Sequence, residues 1–260
     1  MLTENCRVCG TSSSYLFHGE VLAHTVAYYE CDQCQYVQTE QPHWLQEAYA
    51  SAINDSDTGL LKRNIENVSK VVATLAAIKP ETSILVDYAS GYGVLVRLLR
   101  DHGIDARWHD SYCENLFAKG FEFSASTQDK VDLVTAFEAF EHFVEPVVEA
   151  KKMKEIGRNI LFSTEIMRES TPKHKEWWYY GREHGQHIGF YRVSTLQWIA
   201  KRIGFYLNTD GRSLHLMTTE PLSATKWQFF LRMRKVITNY NRKKRKSLLL
   251  PDHQTHTKAA

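Results

Sequence analysis

The sequence has no run approaching the roughly 18 consecutive apolar residues that a membrane-spanning helix requires, which excludes an integral helical membrane protein. At Met1-Leu2-Thr3-Glu4-Asn5 it lacks a basic region followed by an apolar stretch, so no secretory leader is expected and the cytoplasm is the expected compartment. It has no internal repeat and no low-complexity linker. Positive charge is scarce over most of its length. Residues 221–260 hold ten Lys/Arg against one acid, Asp252, a local charge of +9, so the formal net charge of +2 leaves the other residues at −7. A body of that sign makes a poor groove for a phosphodiester backbone, and no nucleic-acid partner is expected.

What is present suits a globular chain. At 260 residues, 43% hydrophobic and 24% charged, there is room for one full α/β domain and a smaller appendage. The pattern changes character three times, giving four expected segments. They are a cysteine-punctuated module at 1–42, a helical bridge at 43–80, an α/β domain at 81–220 and a basic amphipathic tail at 221–260.

In the first segment, Cys6-x-x-Cys9 and Cys31-x-x-Cys34 form two knuckles 21 residues apart, close to zinc-ribbon spacing. Each knuckle offers two thiolates to one face of a turn, and together they complete a tetrahedral shell with no position left for substrate. A structural zinc is expected, with disulfides as the alternative. Cys113 lies outside the pattern. The module has one basic residue, Arg7, against Glu4, Glu20, Glu30, Asp32 and Glu40, which again argues against phosphate binding.

In the bridge, Leu61, Ile65, Val68, Val72 and Leu75 recur at the spacing of one apolar helix face. From Ser83 onward, apolar runs alternate with helix-period segments, the pattern of a parallel sheet with crossover helices. Strands are expected at Ile84–Asp87, Ala106–Asp110, Leu133–Phe137 and Asn159–Ser163. Helices are expected at Val94–Asp101, Pro146–Glu155 and Ser194–Ile203, the last capped by Ser194 and stopped by Gly204. Phe205–Thr209 and Leu214–Thr219, on either side of Asp210-Gly211, read as an antiparallel hairpin closing the sheet.

The first of these strands runs into a glycine loop, Asp87-Tyr88-Ala89-Ser90-Gly91-Tyr92-Gly93, which opens a helix at Val94. Glycines there let a ligand approach the backbone, and the helix start offers unpaired N–H groups. Asp110 ends the next strand 19 residues after Gly91, where such folds hold ribose hydroxyls. Leu95 and Val96 stand where a nicotinamide-binding fingerprint has its third glycine, which disfavours that cofactor.

On these residues the chain resembles the class I S-adenosylmethionine-dependent methyltransferases, with Ala89 replacing the first glycine of their acid-x-Gly-x-Gly-x-Gly motif. The resemblance implies a Rossmann-like sheet with an antiparallel C-terminal hairpin and S-adenosylmethionine as cofactor. It implies that Asp87 lies near the methionine ammonium group, that Ala89, Gly91 and Gly93 lie beneath the cofactor, and that Asp110 is on its ribose. The stretch Val131–Phe143 is similar to the family's fourth-strand motif. It makes Glu138 a candidate cofactor contact, while Glu141 and His142 read as a local pair that orders the loop.

Residues 174–192 read as a loop rich in aromatic side chains and a candidate acceptor-binding lid, with Trp177, Trp178, Tyr179, Tyr180 and Tyr191 as contacts. Packing over an apolar shelf is the alternative for these rings. The segment from His187 to Tyr191 resembles the His segment of zinc-containing methyltransferases acting on nucleotide-linked sugars. Those that methylate carbon carry a His-Glu pair where this chain has Gly185-Gln186. His187 is therefore the candidate base, and oxygen methylation of a sugar or other polar small molecule, in surface-polysaccharide synthesis, is expected over carbon methylation. The competing class is a non-catalytic zinc-ribbon and Rossmann-like binding protein. Asp57-Thr58-Gly59 with Arg63-Asn64 reads as a cap over the cofactor or simply as a helix start.

In the tail, Phe229, Met233, Val236 and Tyr240 share one helical face, followed by Arg242-Lys243-Lys244-Arg245-Lys246. The expectation is a helix docked on the domain with an unstructured basic end. A peripheral contact with an anionic membrane is the alternative.

Overall fold

The computed structural model describes residues 3–50, 57–80, 84–124, 130–168 and 170–259. The expected bridge and the start of the expected α/β segment therefore fall in part, at 51–56 and 81–83, outside the described residues. The N-terminal segment is a meander of β1 (Thr3–Asn5), β2 (Ser12–Val21), β3 (His24–Cys31) and β4 (Val37–Thr39), followed by the short α1 (Leu45–Ala48). Helices and strands then alternate: α2 (Leu60–Ile78), β5 (Ile84–Tyr88), α3 (Val94–Asp101), β6 (Asp105–His109), β7 (Leu133–Ala136), α4 (Pro146–Ile156) and β8 (Asn159–Ser163). They are followed by β9 (Gly189–Phe190), α5 (Val193–Ile203), β10 (Tyr206–Thr209), β11 (Leu214–Thr218), α6 (Ala224–Arg232), α7 (Arg234–Lys244) and α8 (Leu249–Ala259).

The main sheet has the order β10-β11-β8-β7-β5-β6, with β5 parallel to both β6 and β7. Its inner strands β5, β7, β8 and β11 are buried along nearly their whole length, as strands covered on both faces are, while the edge strands β6 and β10 are only partly buried. The turn between β10 and β11 is too short for a parallel crossover, so these strands pair antiparallel, and Asp210 Oδ1 accepts the N–H groups of Arg212, Ser213 and Leu214 across it. This is the mixed, parallel-rich α/β architecture expected from the sequence.

The chain folds into two compact units that interleave along it. One unit comprises the described residues of 1–54, 137–152 and 162–217, and the other those of 55–136, 153–161 and 218–260.

In the first unit the meander gains a fifth strand from a distant place. The stretch 174–192, expected to be a loop, contains a single 3-10 turn at Trp178–Tyr180 and then β9, which pairs antiparallel with β4. Tyr28, Trp44, Tyr180, Ile188 and Phe190 pack together beneath it, each nearly or fully buried. Trp44 Nε1 donates to the Gly185 carbonyl (2.8 Å), and Thr39 N–H to the Ile188 carbonyl (3.1 Å). Helix α5 is capped by Arg192 rather than by Ser194, because Thr195 Oγ1 accepts the Arg192 N–H and donates to the Cys34 carbonyl. Gly204 ends the helix at φ 73 as expected.

In the second unit α2 forms, but its expected apolar face is buried only in its C-terminal half. Leu61 and Ile65 remain 63% and 64% exposed while Val68, Val71, Val72 and Leu75 are buried, because α3, α6 and α7 pack against α2. The tail also differs from expectation. Its helix breaks at Met233 into α6 and α7 and docks through Trp227 and Leu231, with Trp227 Nε1 donating to Thr74 Oγ1 (3.2 Å). The expected docking face stays in solvent, with Phe229, Val236 and Tyr240 60%, 60% and 56% exposed. The basic end is not unstructured: it leads into α8, whose Asp252 is buried between Arg97 and Arg100.

Candidate functional site

Three groups of candidate residues assemble, each within one unit. In the first unit the two knuckles have the same construction. The residue after each second cysteine, Gly10 and Gln35, has a positive φ and donates its N–H to the carbonyl of the first, Cys6 and Cys31. The turns bring Cys6 Sγ to 3.5 Å from Cys34 Sγ and Cys9 Sγ to 3.3 Å from Cys31 Sγ, and one Sγ from each cysteine lies within 4.8 Å of the others. All four thiols are free, so the disulfide alternative does not hold. A tetrahedral zinc–thiolate site has its sulfurs about 3.8 Å apart, which follows from a bond of about 2.3 Å. The cluster fits such an ion.

The second unit holds the glycine loop at the carboxyl end of β5. Asp87 is buried, with Oδ1 accepting from Thr135 Oγ1 (2.6 Å) and Oδ2 from Ser90 Oγ (2.9 Å). Burial pushes its carboxyl up to about 6, the two hydroxyls oppose that rise, and the Asp110 charge adds to it. Asp110 braces the loop as well as facing it: Oδ2 accepts the Gly91 N–H (2.9 Å), and Oδ1 accepts from Tyr112 and Cys113 N–H. Trp108 on β6 donates to the Gly91 carbonyl (2.8 Å), a brace that no sequence motif announces.

The loop glycines have different reasons to be glycine. At Gly93 a Cβ would crowd Asn115 and Ala118 at 3.1 Å, whereas at Gly91 it would meet no atom within 4 Å. Both have positive φ, and so does Ala89 at φ 58, the backbone that the family's glycine would adopt without strain. Open space beside Gly91 is what a bound cofactor needs. At the start of α2, Asp57 pairs with Arg63 and Gly59 is the N-cap, so this segment serves as a helix start.

The third group is again in the first unit. Glu138 is exposed at φ 51, its N–H donating to Ser163 Oγ and its carboxylate accepting from the same hydroxyl. Three residues on, Glu141 is fully buried and neither carboxylate oxygen has a hydrogen-bond partner. Burial, then the Glu138 charge, pushes its carboxyl up to about 8, although the Tyr179 and Thr164 hydroxyls face it without reaching hydrogen-bond geometry.

The Glu141 carbonyl accepts the Ile188 N–H (2.9 Å), which brings His187 to the Glu141-His142 pair. The ring centroids of His142 and His187 lie 5.0 Å apart at 86°. His187 Nδ1 donates to the Tyr179 carbonyl (2.6 Å), leaving the Nε2 lone pair available. Burial, followed by His142, holds the His187 pKa well below the ordinary histidine value, so the ring is neutral near pH 7. The local pairing expected of Glu141 and His142 is therefore part of a larger cluster. Sequence separation hid it.

The aromatic residues expected to contact an acceptor divide sharply. Tyr179, Tyr180 and Tyr191 are buried, and their hydroxyls are engaged with the Glu165 N–H, the Pro172 carbonyl and the Phe140 carbonyl. These tyrosines pack within the first unit, which suits the packing alternative for their rings. Trp177 is half-buried and Trp178 is 75% exposed.

Comparison with known proteins adds the following. A family model described as a methyltransferase domain matches residues 60–209, more than half of the chain. No curated protein sequence gives a significant match. Among solved structures, the chain is similar to the 1,6-didemethyltoxoflavin-N1-methyltransferase of Burkholderia thailandensis, at 13% identity and a TM-score of 0.49 over 78% of this chain and 98% of that one. It is similar to the magnesium protoporphyrin IX methyltransferase of Synechocystis PCC 6803, at 15% identity and a TM-score of 0.43 over 67% and 92%. It is also similar to CalO1, a methyltransferase in calicheamicin biosynthesis, at 13% identity and a TM-score of 0.40 over 67% of this chain and 61% of that one. The match covers 62% of the length of TnmH.

Proposed function

The chain belongs to the methyltransferase domain family, and from that premise we propose that it transfers the methyl group of S-adenosylmethionine to a hydroxyl of a sugar or other polar small molecule, in surface-polysaccharide synthesis. The observation that carries this reading is the glycine loop: a buried acid at the strand end, open space beside Gly91, and Asp110 braced opposite. S-Adenosylmethionine supplies an electrophilic methyl group on a sulfonium. Asp87 takes its ammonium group, Asp110 its ribose, and Glu138 is a further contact. The chain's remaining task is to align and dry the acceptor.

On the acceptor side, Trp177 and Trp178 offer rings for a sugar face, and His187 Nε2 is the lone pair available to the acceptor's hydroxyl proton. Oxygen methylation is favoured over carbon methylation because the residue before His187 is Gln186, whose amide donates to the Ala48 carbonyl instead of supplying an acid. The cysteine cluster holds one structural zinc, supported by its sulfur spacing. A peripheral contact of the tail with an anionic membrane is supported by the apolar row left exposed beside Arg242, Lys243 and Lys244.

Calorimetric titration with S-adenosylmethionine, paired with turnover measurements, tests the core of this reading. Asp110→Ala is expected to weaken cofactor binding by about 1.5–3 kcal/mol, the range for hydrogen bonds to a charged group. His187→Ala is expected to keep cofactor affinity while lowering turnover by about 10²–10⁴. Wild-type protein that binds no cofactor would overturn the assignment.

A further inference from the structure

The Glu141, His142 and His187 cluster has more than a base needs. One candidate ligand atom from each side chain lies within 4.8 Å of the other two. Glu141 has no exposed surface, yet both its carboxylate oxygens lack a hydrogen-bond partner. A buried carboxylate in that condition costs free energy unless a proton or a cation completes it. The second acid, Glu138, adds negative charge close by. The two imidazoles are oriented as metal ligands usually are, each with one ring nitrogen engaged by an outer partner: His187 Nδ1 with the Tyr179 carbonyl (2.6 Å) and His142 Nδ1 with Tyr49 Oη (2.9 Å). His187 Nε2 is thereby left for the cluster, and His142, which also meets the Gln186 backbone, still brings one ring nitrogen within 4.8 Å of the other two ligand atoms.

We propose that Glu141, His142 and His187 bind a divalent first-row transition-metal ion, separate from the cysteine site, whose open coordination positions take an oxygen of the methyl acceptor. Two histidines and one carboxylate form a three-ligand set that suits such ions and leaves room for further ligands, unlike the closed four-cysteine shell. The inference rests on the methyltransferase reading for the acceptor and on the cluster alone for the ion. With the ion bound, His187 Nε2 is a ligand, the hydroxyl held on the ion gives its proton to solvent water, and its oxygen takes the methyl group as S-adenosylhomocysteine leaves; without the ion, His187 Nε2 remains the base. The ion lowers the pKa of an oxygen bound to it. The partnerless Glu141 carboxylate and the braced His187 ring then have one common explanation.

Cobalt(II) is the probe. Protein purified with its cysteine-site zinc, verified by elemental analysis, is titrated with cobalt(II) and followed by visible absorption and by thermal melting. The expected result is one equivalent of cobalt(II) giving d–d absorption without the thiolate charge-transfer band of a cysteine site, together with a raised melting temperature. Glu141→Gln and His187→Asn are each expected to weaken that binding by at least about 100-fold, since outer partners of metal ligands alone account for about 10–100-fold.

Folded, zinc-loaded wild-type protein that takes up no cobalt(II) at millimolar concentration would overturn the proposal. So would variants that bind it as tightly as wild type. If Glu141→Gln does not fold, the wild-type titration and His187→Asn decide. S-Adenosylmethionine affinity measured on the same samples separates the two readings: retained cofactor binding without cobalt(II) uptake removes the ion alone, and loss of cofactor binding removes the methyltransferase assignment.

Discussion

At the scale of single residues, Asp87 shows how burial sets chemistry. Its carboxyl sits at about 6 because desolvation exceeds the help of the Thr135 and Ser90 hydroxyls. A folded-state value above the unfolded one means that this group favours the fold below about pH 4, and that the advantage is lost as pH rises through about 6. At neutral pH the ligand-free protein therefore holds a buried carboxylate whose ionisation costs stability, and a bound ammonium group offsets that cost. S-Adenosylmethionine affinity is expected to fall about tenfold per pH unit below about 6 and to level off above it, and Asp87→Asn to bind weakly with no such slope. Titrations at pH 5 and pH 7.5 check this, and equal wild-type affinities at the two would remove Asp87 from the ammonium site. Asp87, Gly91, Gly93 and Asp110 were legible in the sequence because local rules place them, a strand end and the turn that follows it. Thr135 and Trp108 were not, since each reaches the loop only through strand pairing, β7 and β6 flanking β5.

Among elements, the inner strands of the main sheet were legible because their apolar runs are short and bounded, and all of its strands form within one residue of their expected ends. The Glu141 cluster was not legible. It depends on the hydrogen bond from Ile188 to Glu141 and on β9 joining the cysteine meander, neither of which has a local signature. The basic tail misled in a similar way, because an apolar row at helical spacing does not say which face docks. Its last helix, α8, is anchored by Asp252, which accepts from Arg100 Nε (2.8 Å) and Nη2 (2.7 Å) and pairs with Arg97 (2.8 Å). Burial opposes ionisation of Asp252, and the two guanidinium groups still hold its carboxyl below the ordinary value. Removing one partner of a buried pair leaves the other charge uncompensated, at a cost of about 3–5 kcal/mol. Asp105 remains beside Arg100, so Asp252→Ala is expected at the lower end, about 3 kcal/mol, read from urea unfolding. A loss under about 1 kcal/mol would show that the Asp252 pairs do not hold α8 in place.

For the molecule as a whole, the division of charge is the feature that composition conceals. The ten basic residues of 221–260 stand against a remainder of −7, and a field of one sign concentrated on one segment attracts anionic surfaces that the rest of the chain repels. No described helix is long and apolar enough to cross a membrane, so any membrane contact through these helices would be peripheral. Helices α6 and α7 leave Phe229, Val236 and Tyr240 exposed, with Arg242, Lys243 and Lys244 following at the end of α7. Such a face gains from both apolar insertion and lipid charge, with about 1 kcal/mol for each basic residue near the surface. Vesicles containing phosphatidylserine are expected to carry the protein upward in a flotation gradient at low salt, and neutral phosphatidylcholine vesicles to leave it behind. Replacing Arg242, Lys243 and Lys244 by alanine should weaken that binding by about 3 kcal/mol, roughly a hundredfold, and raised salt should act in the same direction because exposed charges are screened within a Debye length of about 10 Å. Since α7 has no buried residue, the triple variant should melt at the wild-type temperature, so lost flotation would report the surface contact and not unfolding. Wild-type protein that stays at the bottom of the gradient with anionic vesicles would confine the tail to packing against α2.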